Sequence, residues 1–159
     1  MKRKVTCMLI FCMVLVLGFA SMAQAAPIVN LDKAKLMITA AEQKAVEIGC
    51  PMVITVVDEG GNMVAQHRMD GALLASIDIS RGKAYTSVAL KMSTEKLASL
   101  TQPDQMLFGI NTTDNGRLVI FGGGLPIIEN GQVVGGIGVS GGSVAQDVAV
   151  VTSGLAAWK

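Results

Sequence analysis

Few residues in this 159-residue chain can do chemistry, and their spacing limits what they can do. There is one histidine, His67, and once the first 25 residues are set aside there is one cysteine, Cys50. A lone imidazole and a lone thiol lack the clustered spacing that an ordinary zinc site requires. Gly136-Ile137-Gly138-Val139-Ser140-Gly141 matches the glycine fingerprint of a dinucleotide site, where a helix N-terminus approaches a pyrophosphate. Only 18 residues follow Gly141, enough for one helix but not for the second strand that carries the acidic ribose ligand. Gly138-Val139-Ser140-Gly141-Gly142 fits a nucleophile elbow, but that chemistry needs a His after the serine, and His67 lies far upstream. A tight strand-to-helix turn, with Ser143 capping the next helix, accounts for the same run. Asn111-Thr112-Thr113 fits a glycosylation sequon, a pattern too short to carry weight. Asp58, Asp70, His67 and Lys83 are the groups that burial would turn into a general acid or base, and nothing in their spacing selects one.

Ahead of these residues stands a basic head, Lys2, Arg3 and Lys4, then an apolar run from Val5 to Phe19, then Ala23-Gln24-Ala25. That order is expected of a secretory signal peptide over residues 1–25, with Ala26 as the mature start. The apolar run is short for a bilayer span, so no stable membrane anchor is expected after cleavage. The remaining 134 residues hold 10 Lys+Arg against 12 Asp+Glu, a net charge of −2. Such a balance excludes an electrostatic grip on nucleic acid or anionic lipid. The expected location is periplasmic or secreted. With Cys50 alone no internal disulfide can form, and the length suits a single domain over residues 26–159.

The elements that must position these groups follow from periodicity. Leu31 to Ile48 has helical apolar spacing, ended by Gly49 and Pro51. Met52 to Val57 and Met63 to His67 flank the Asp58-Glu59-Gly60-Gly61-Asn62 turn as an antiparallel hairpin. A second helix is predicted from Leu73 to Met92, burying Leu74, Ile77, Ala84 and Val88, with Asp78, Arg81 and Lys91 outward. A short helix from Ser93 to Leu100 precedes an irregular loop over Thr101 to Gly116. Leu118 to Phe121 is predicted as a strand. Leu125 to Ile128 and Gln132 to Val139 form a hairpin about Asn130-Gly131, and Ser143 to Trp158 forms the last helix. Tight turns force antiparallel pairing, so the fold class is α+β with helices packed on a sheet.

Several phrases stand out in this frame. They are Val57-Asp58-Glu59-Gly60-Gly61-Asn62, Arg68-Met69-Asp70-Gly71-Ala72, Ser76-Ile77-Asp78-Ile79-Ser80, Lys83-Ala84-Tyr85-Thr86, Gly122-Gly123-Gly124-Leu125-Pro126-Ile127, and Val134 to Gly142 with Gln146-Asp147. In this order they resemble the GlcG/HbpS family of haem-binding domains, and equally the C-terminal domain of PduO-type cobalamin adenosyltransferases. The resemblance runs from Leu31 to Trp158. It implies a profilin-like α-β-α sandwich with a central antiparallel sheet flanked by helices, homo-oligomerisation, and haem or iron binding in some members.

Haem iron takes ligands from His, Cys, Met or Tyr. Past the leader these are His67, Cys50, Tyr85 and six methionines, of which Met63 and Met69 lie near His67 in sequence. His67 is therefore the candidate iron ligand, with Arg68 and Lys83 as candidate partners for the propionates. A lone histidine is also commonly a hydrogen-bonded strand residue, and Arg81 and Lys83 are ordinarily surface charges. Gly122, Gly123 and Gly124 either turn backbone N–H groups toward an anion or let the chain cross a tight corner, and the corner is favoured. The leading functional expectation is an exported oligomeric haem or tetrapyrrole binder acting as carrier, sink or sensor accessory. The alternatives are an enzyme acting on a small organic acid or on haem, and an interaction module without a cofactor.

Overall fold

A computed structural model describes residues 28–158, so the expected leader lies outside the described residues. Helix α1 (Leu31–Glu47) begins where the Asn30 side chain accepts the Lys33 amide and ends before Gly49, which takes φ +65°. Strands β1 (Val53–Asp58) and β2 (Met63–Arg68) form the first hairpin. Asp58 Oδ1 accepts the amides of Gly60 and Asn62, holding that turn closed. Helix α2 (Ser76–Ala89) and the short α3 (Thr94–Leu100) follow. Strands β3 (Gly124–Glu129) and β4 (Gln132–Ser140) form the second hairpin about Asn130 and Gly131, both left-handed as a two-residue turn demands. Helix α4 (Val144–Ala156) starts with a capping box in which Ser143 and Gln146 satisfy each other's backbone N–H groups.

The sheet order is β2-β1-β4-β3 and every pair is antiparallel. Alternation along the strands sends successive side chains to opposite faces. Ile54, Val56, Ile137 and Val139 meet Met37, Ile38 and Ala41 of α1 and Val150 and Val151 of α4 in one apolar core. Thr55, Val57, Gly136, Gly138 and Ser140 face α2 instead. The chain is thus an α+β protein with helices on both faces of an antiparallel sheet, the layering expected from the sequence.

Two expectations need correction. Leu118 to Phe121 is not a strand: the segment lies against α2, where Val119 N–H donates to the Thr86 hydroxyl rather than to a neighbouring strand. Helix α2 starts at Ser76, so Leu74 precedes it and is exposed. The helix buries Ala84 and Val88 as expected, but its other buried residues are Ser76, Ser80, Lys83, Thr86 and Ser87 rather than an apolar stripe. The cause is across the interface. Gly136 and Gly138 present bare backbone and the helix settles directly on it, so the small residues Ser80, Ala84 and Ser87 face those glycines.

Candidate functional site

His67 pairs with Ile54, which places it on the α1 face at the outer edge of the sheet. Its Nδ1 lies 2.9 Å from Glu42 Oε1, and 47% of the side chain is exposed. A carboxylate on one ring nitrogen fixes the imidazole's orientation and leaves Nε2 as the nitrogen for a ligand. The neighbouring methionines do not compete. The register shift at Val56/Val57 leaves Val64 unpaired and aligns Met63 with Val57, on the α2 side. The Met69 sulfur accepts the Met52 amide at 3.4 Å. Arg68 spends Nε and Nη2 on the Ala72 carbonyl, at 3.2 and 3.0 Å, closing the turn that follows β2. Cys50 is half-buried against the core.

The other expected site residues gather at the opposite edge. With three strand spacings between β2 and β3, the edges stand about 14 Å apart. Lys83 is not a surface charge: it is fully buried. Its ammonium donates to Asp147 Oδ2 at 2.6 Å and to the Val139 carbonyl at 2.9 Å, and it lies 4.7 Å from the Phe121 ring centre. Burial pushes this ammonium below its ordinary 10.5, against the Asp147 hydrogen bond that pulls it up. The second Asp147 oxygen accepts the Gly142 amide. Lys83 therefore joins α2 to α4 around the end of the sheet, and its charge is committed to Asp147 rather than to a propionate. The Gly122–Gly124 run is the corner that lets it pass. Gly123 takes φ +116°, and a Cβ there would stand 2.8 Å from both Lys83 Nζ and the Val139 oxygen. His67 and Arg68 on one side, and Lys83 with Gly122, Gly123 and Gly124 on the other, do not form one site.

Sequence reasoning missed a third region. A cavity of about 400 Å³ opens on the outer side of α2, lined by Asp78, Ile79, Arg81, Tyr85, Arg117 and Val119 with three glycines. The Arg117 guanidinium stacks 4.3 Å from the Tyr85 ring centre and pairs with Asp114. Arg117, and then Tyr85, hold the Asp114 carboxyl below its usual range. Desolvation first, and then the Asp114 hydrogen bond, raise the Tyr85 phenol. The sequence signal was that three of the distinctive phrases, Val57 to Asn62, Ser76 to Ser80 and Lys83 to Thr86, contribute Gly61, Asp78, Ile79 and Tyr85 to its lining. The partner residues came from a segment with no periodicity.

Comparisons with known proteins agree with this fold. A family model described as haem degrading protein HbpS-like matches residues 29–156. A 15.0 kDa protein from the dhaT-dhaS intergenic region of Citrobacter freundii is 50% identical over 119 residues, 75% of this chain and 84% of that protein. The corrinoid adenosyltransferase PduO of the same organism is 41% identical over 118 residues, 74% of this chain but only 35% of PduO. The crystal structure of a PduOC:haem complex superposes with a TM-score of 0.79 at 35% identity, covering 81% of this chain and 94% of that one.

Proposed function

The chain belongs to the HbpS-like family, and from that premise we propose that it is an exported, oligomeric haem-binding protein in which His67 ligates the iron. The observation that carries this reading is the likeness to the PduOC:haem complex across most of the fold. The donor chemistry of this chain fits. His67 is the one imidazole in the sequence, it is exposed, and Glu42 holds its Nδ1. Bound haem would supply the redox-active iron. The chain's own part is to present Nε2, with the Glu42 carboxylate on Nδ1 fixing the ring's orientation.

The leader expected over residues 1–25 supports a periplasmic or secreted location, where the protein would act as a carrier, sink or sensor accessory. Oligomerisation is supported by two open sheet edges, β2 and β3, and by exposed Leu73, Leu74, Met106 and Phe108. PduO's adenosyltransferase activity does not transfer, because this chain spans about a third of that protein. Binding is favoured over turnover by the placement of the Glu42–His67 pair, which is partly exposed at a sheet edge rather than enclosed in a cleft.

Titration with hemin tests the proposal. A shifted Soret band that weakens in His67→Ala is expected, and no shift at stoichiometric hemin would overturn it. Intact mass should place the N-terminus of the exported protein at Ala26. Sedimentation showing only monomer at micromolar concentration would remove the oligomer.

A further inference from the structure

The cavity beside α2 has the marks of a binding site that the haem reading does not use. Its walls come from three places: the β1–β2 turn at Gly61, the outer side of α2, and the segment 116–119. Gly61 and Gly82 are tight against those walls. A Cβ at Gly61 would stand 2.7 Å from the Tyr85 ring, and one at Gly82 would stand 2.6 Å from Val119.

The charges there are unevenly spent. Arg117 is held by Asp114 and by the Tyr85 ring, so its remaining donors are fixed in place. Arg81 joins none of the ion pairs among the described residues, although it lines the same cavity. Asp78, one turn before it, also joins none of the ion pairs among the described residues. The backbone that carries Arg117 is strained. Asp114, Asn115 and Gly116 take φ of +50°, +55° and +74° in succession, a left-handed run that L-residues avoid. Strain of this kind persists where surrounding contacts over-determine it, and it concentrates at ligand sites.

We propose that this cavity binds a compact monocarboxylate. Arg81 receives the carboxylate, Arg117 adds a preset second guanidinium, and Ile79 and Val119 cover the apolar body. Asp78 on the same wall repels a second carboxylate and so selects one anionic group over two. The volume of about 400 Å³ is near the lower end of small-molecule pockets, roughly 300–1,000 Å³. It accepts a free acid the size of benzoate, or a single propionate arm of a haem whose ring lies outside.

Calorimetric titration of the full mature protein with benzoate provides the test, with Arg81→Ala as the variant because Arg81 is exposed and holds no other element in place. Saturable binding is expected, weakened at least about tenfold in Arg81→Ala and unchanged in His67→Ala, which keeps this site's fate separate from that of the iron ligand. Phthalate should bind more weakly than benzoate, and Asp78→Asn should narrow that gap. Hemin distinguishes the two sources of carboxylate. If Arg81→Ala also weakens hemin binding and benzoate competes with hemin, the cavity holds a propionate; if hemin binding is unaffected, it holds a free acid. Absence of saturable benzoate binding, together with hemin affinity unchanged in Arg81→Ala, overturns the proposal. So does phthalate binding as tightly as benzoate.

Discussion

The two faces of the sheet are built on opposite rules. Toward α1 and α4, strand residues such as Ile54, Val56, Ile137 and Val139 interdigitate with Met37, Ile38, Val150 and Val151, and the layer is held apart by side chains. Toward α2 the strands offer Gly136, Gly138, Thr55 and Ser140, and the helix answers with Ser76, Ser80 and Ser87. There the backbones nearly touch, and hydroxyl pairs such as Thr55 with Ser80 at 2.8 Å replace apolar contact. Lys83 crosses from this thin layer to Asp147 of the other face, so one ion pair joins the two. The lesson is about tolerance. A side-chain core adjusts to a lost methylene by partial collapse, whereas a backbone-on-backbone contact has nothing flexible to yield.

Substitutions sort by face on that basis. Gly138→Val should have the largest effect, because even a Cβ collides with the Ser80 carbonyl and the Ala84 backbone. Overpacking against backbone should cost more than the usual ~1–3 kcal/mol, and soluble folded protein should be lost on expression. Lys83→Met should follow: it strands Asp147, only 4% exposed, and removing one partner of a buried pair costs about 3–5 kcal/mol by urea unfolding. Adding Asp147→Leu to Lys83→Met should recover much of that loss, since the stranded charge then disappears. Ile137→Val on the side-chain face should cost only about 0.5–1.5 kcal/mol. A larger loss there than at Gly138 would break the distinction between the faces. His67→Ala, at a half-exposed pair, should change unfolding by about 0–1 kcal/mol while abolishing most of the hemin-induced Soret shift.

Acid gives the mildest test. The Asp114 carboxyl is depressed below its ordinary 3.8, so its contribution is present above that value and disappears as pH falls through the lower folded value. Loss of the Arg117 and Tyr85 contacts should then appear as a Tyr85 absorbance change below about pH 3.8 without global unfolding.

Where periodicity and turn chemistry were strong, the fold was legible. Ser143 caps its helix, Asn130-Gly131 turns its hairpin, and the boundaries of α1 and both hairpins move by only a residue or two. Leu118 to Phe121 misled because an apolar run reads the same whether it pairs with a strand or lies on a helix. Helix α2 misled because its burial was inferred from apolar residues, while the glycines that determine what it buries sit some fifty residues away on β4. His67 could be singled out by its rarity, but its carboxylate partner Glu42 is 25 positions distant with no spacing rule to connect them.

Local order, then, is what the linear chain settled by itself: helix α1, the two hairpins and the last helix, the antiparallel return of their strands, and one imidazole at the end of β2. Such properties depend on interactions between near neighbours, whose geometry spacing specifies directly. Tertiary structure decided that Lys83 is a buried strut rather than a surface charge, that the glycines of β4 seat a helix, and that Arg81, Tyr85 and Arg117 enclose one cavity. Each of these depends on the separation of surfaces brought together from distant parts of the chain, a quantity fixed by packing and not by local pattern.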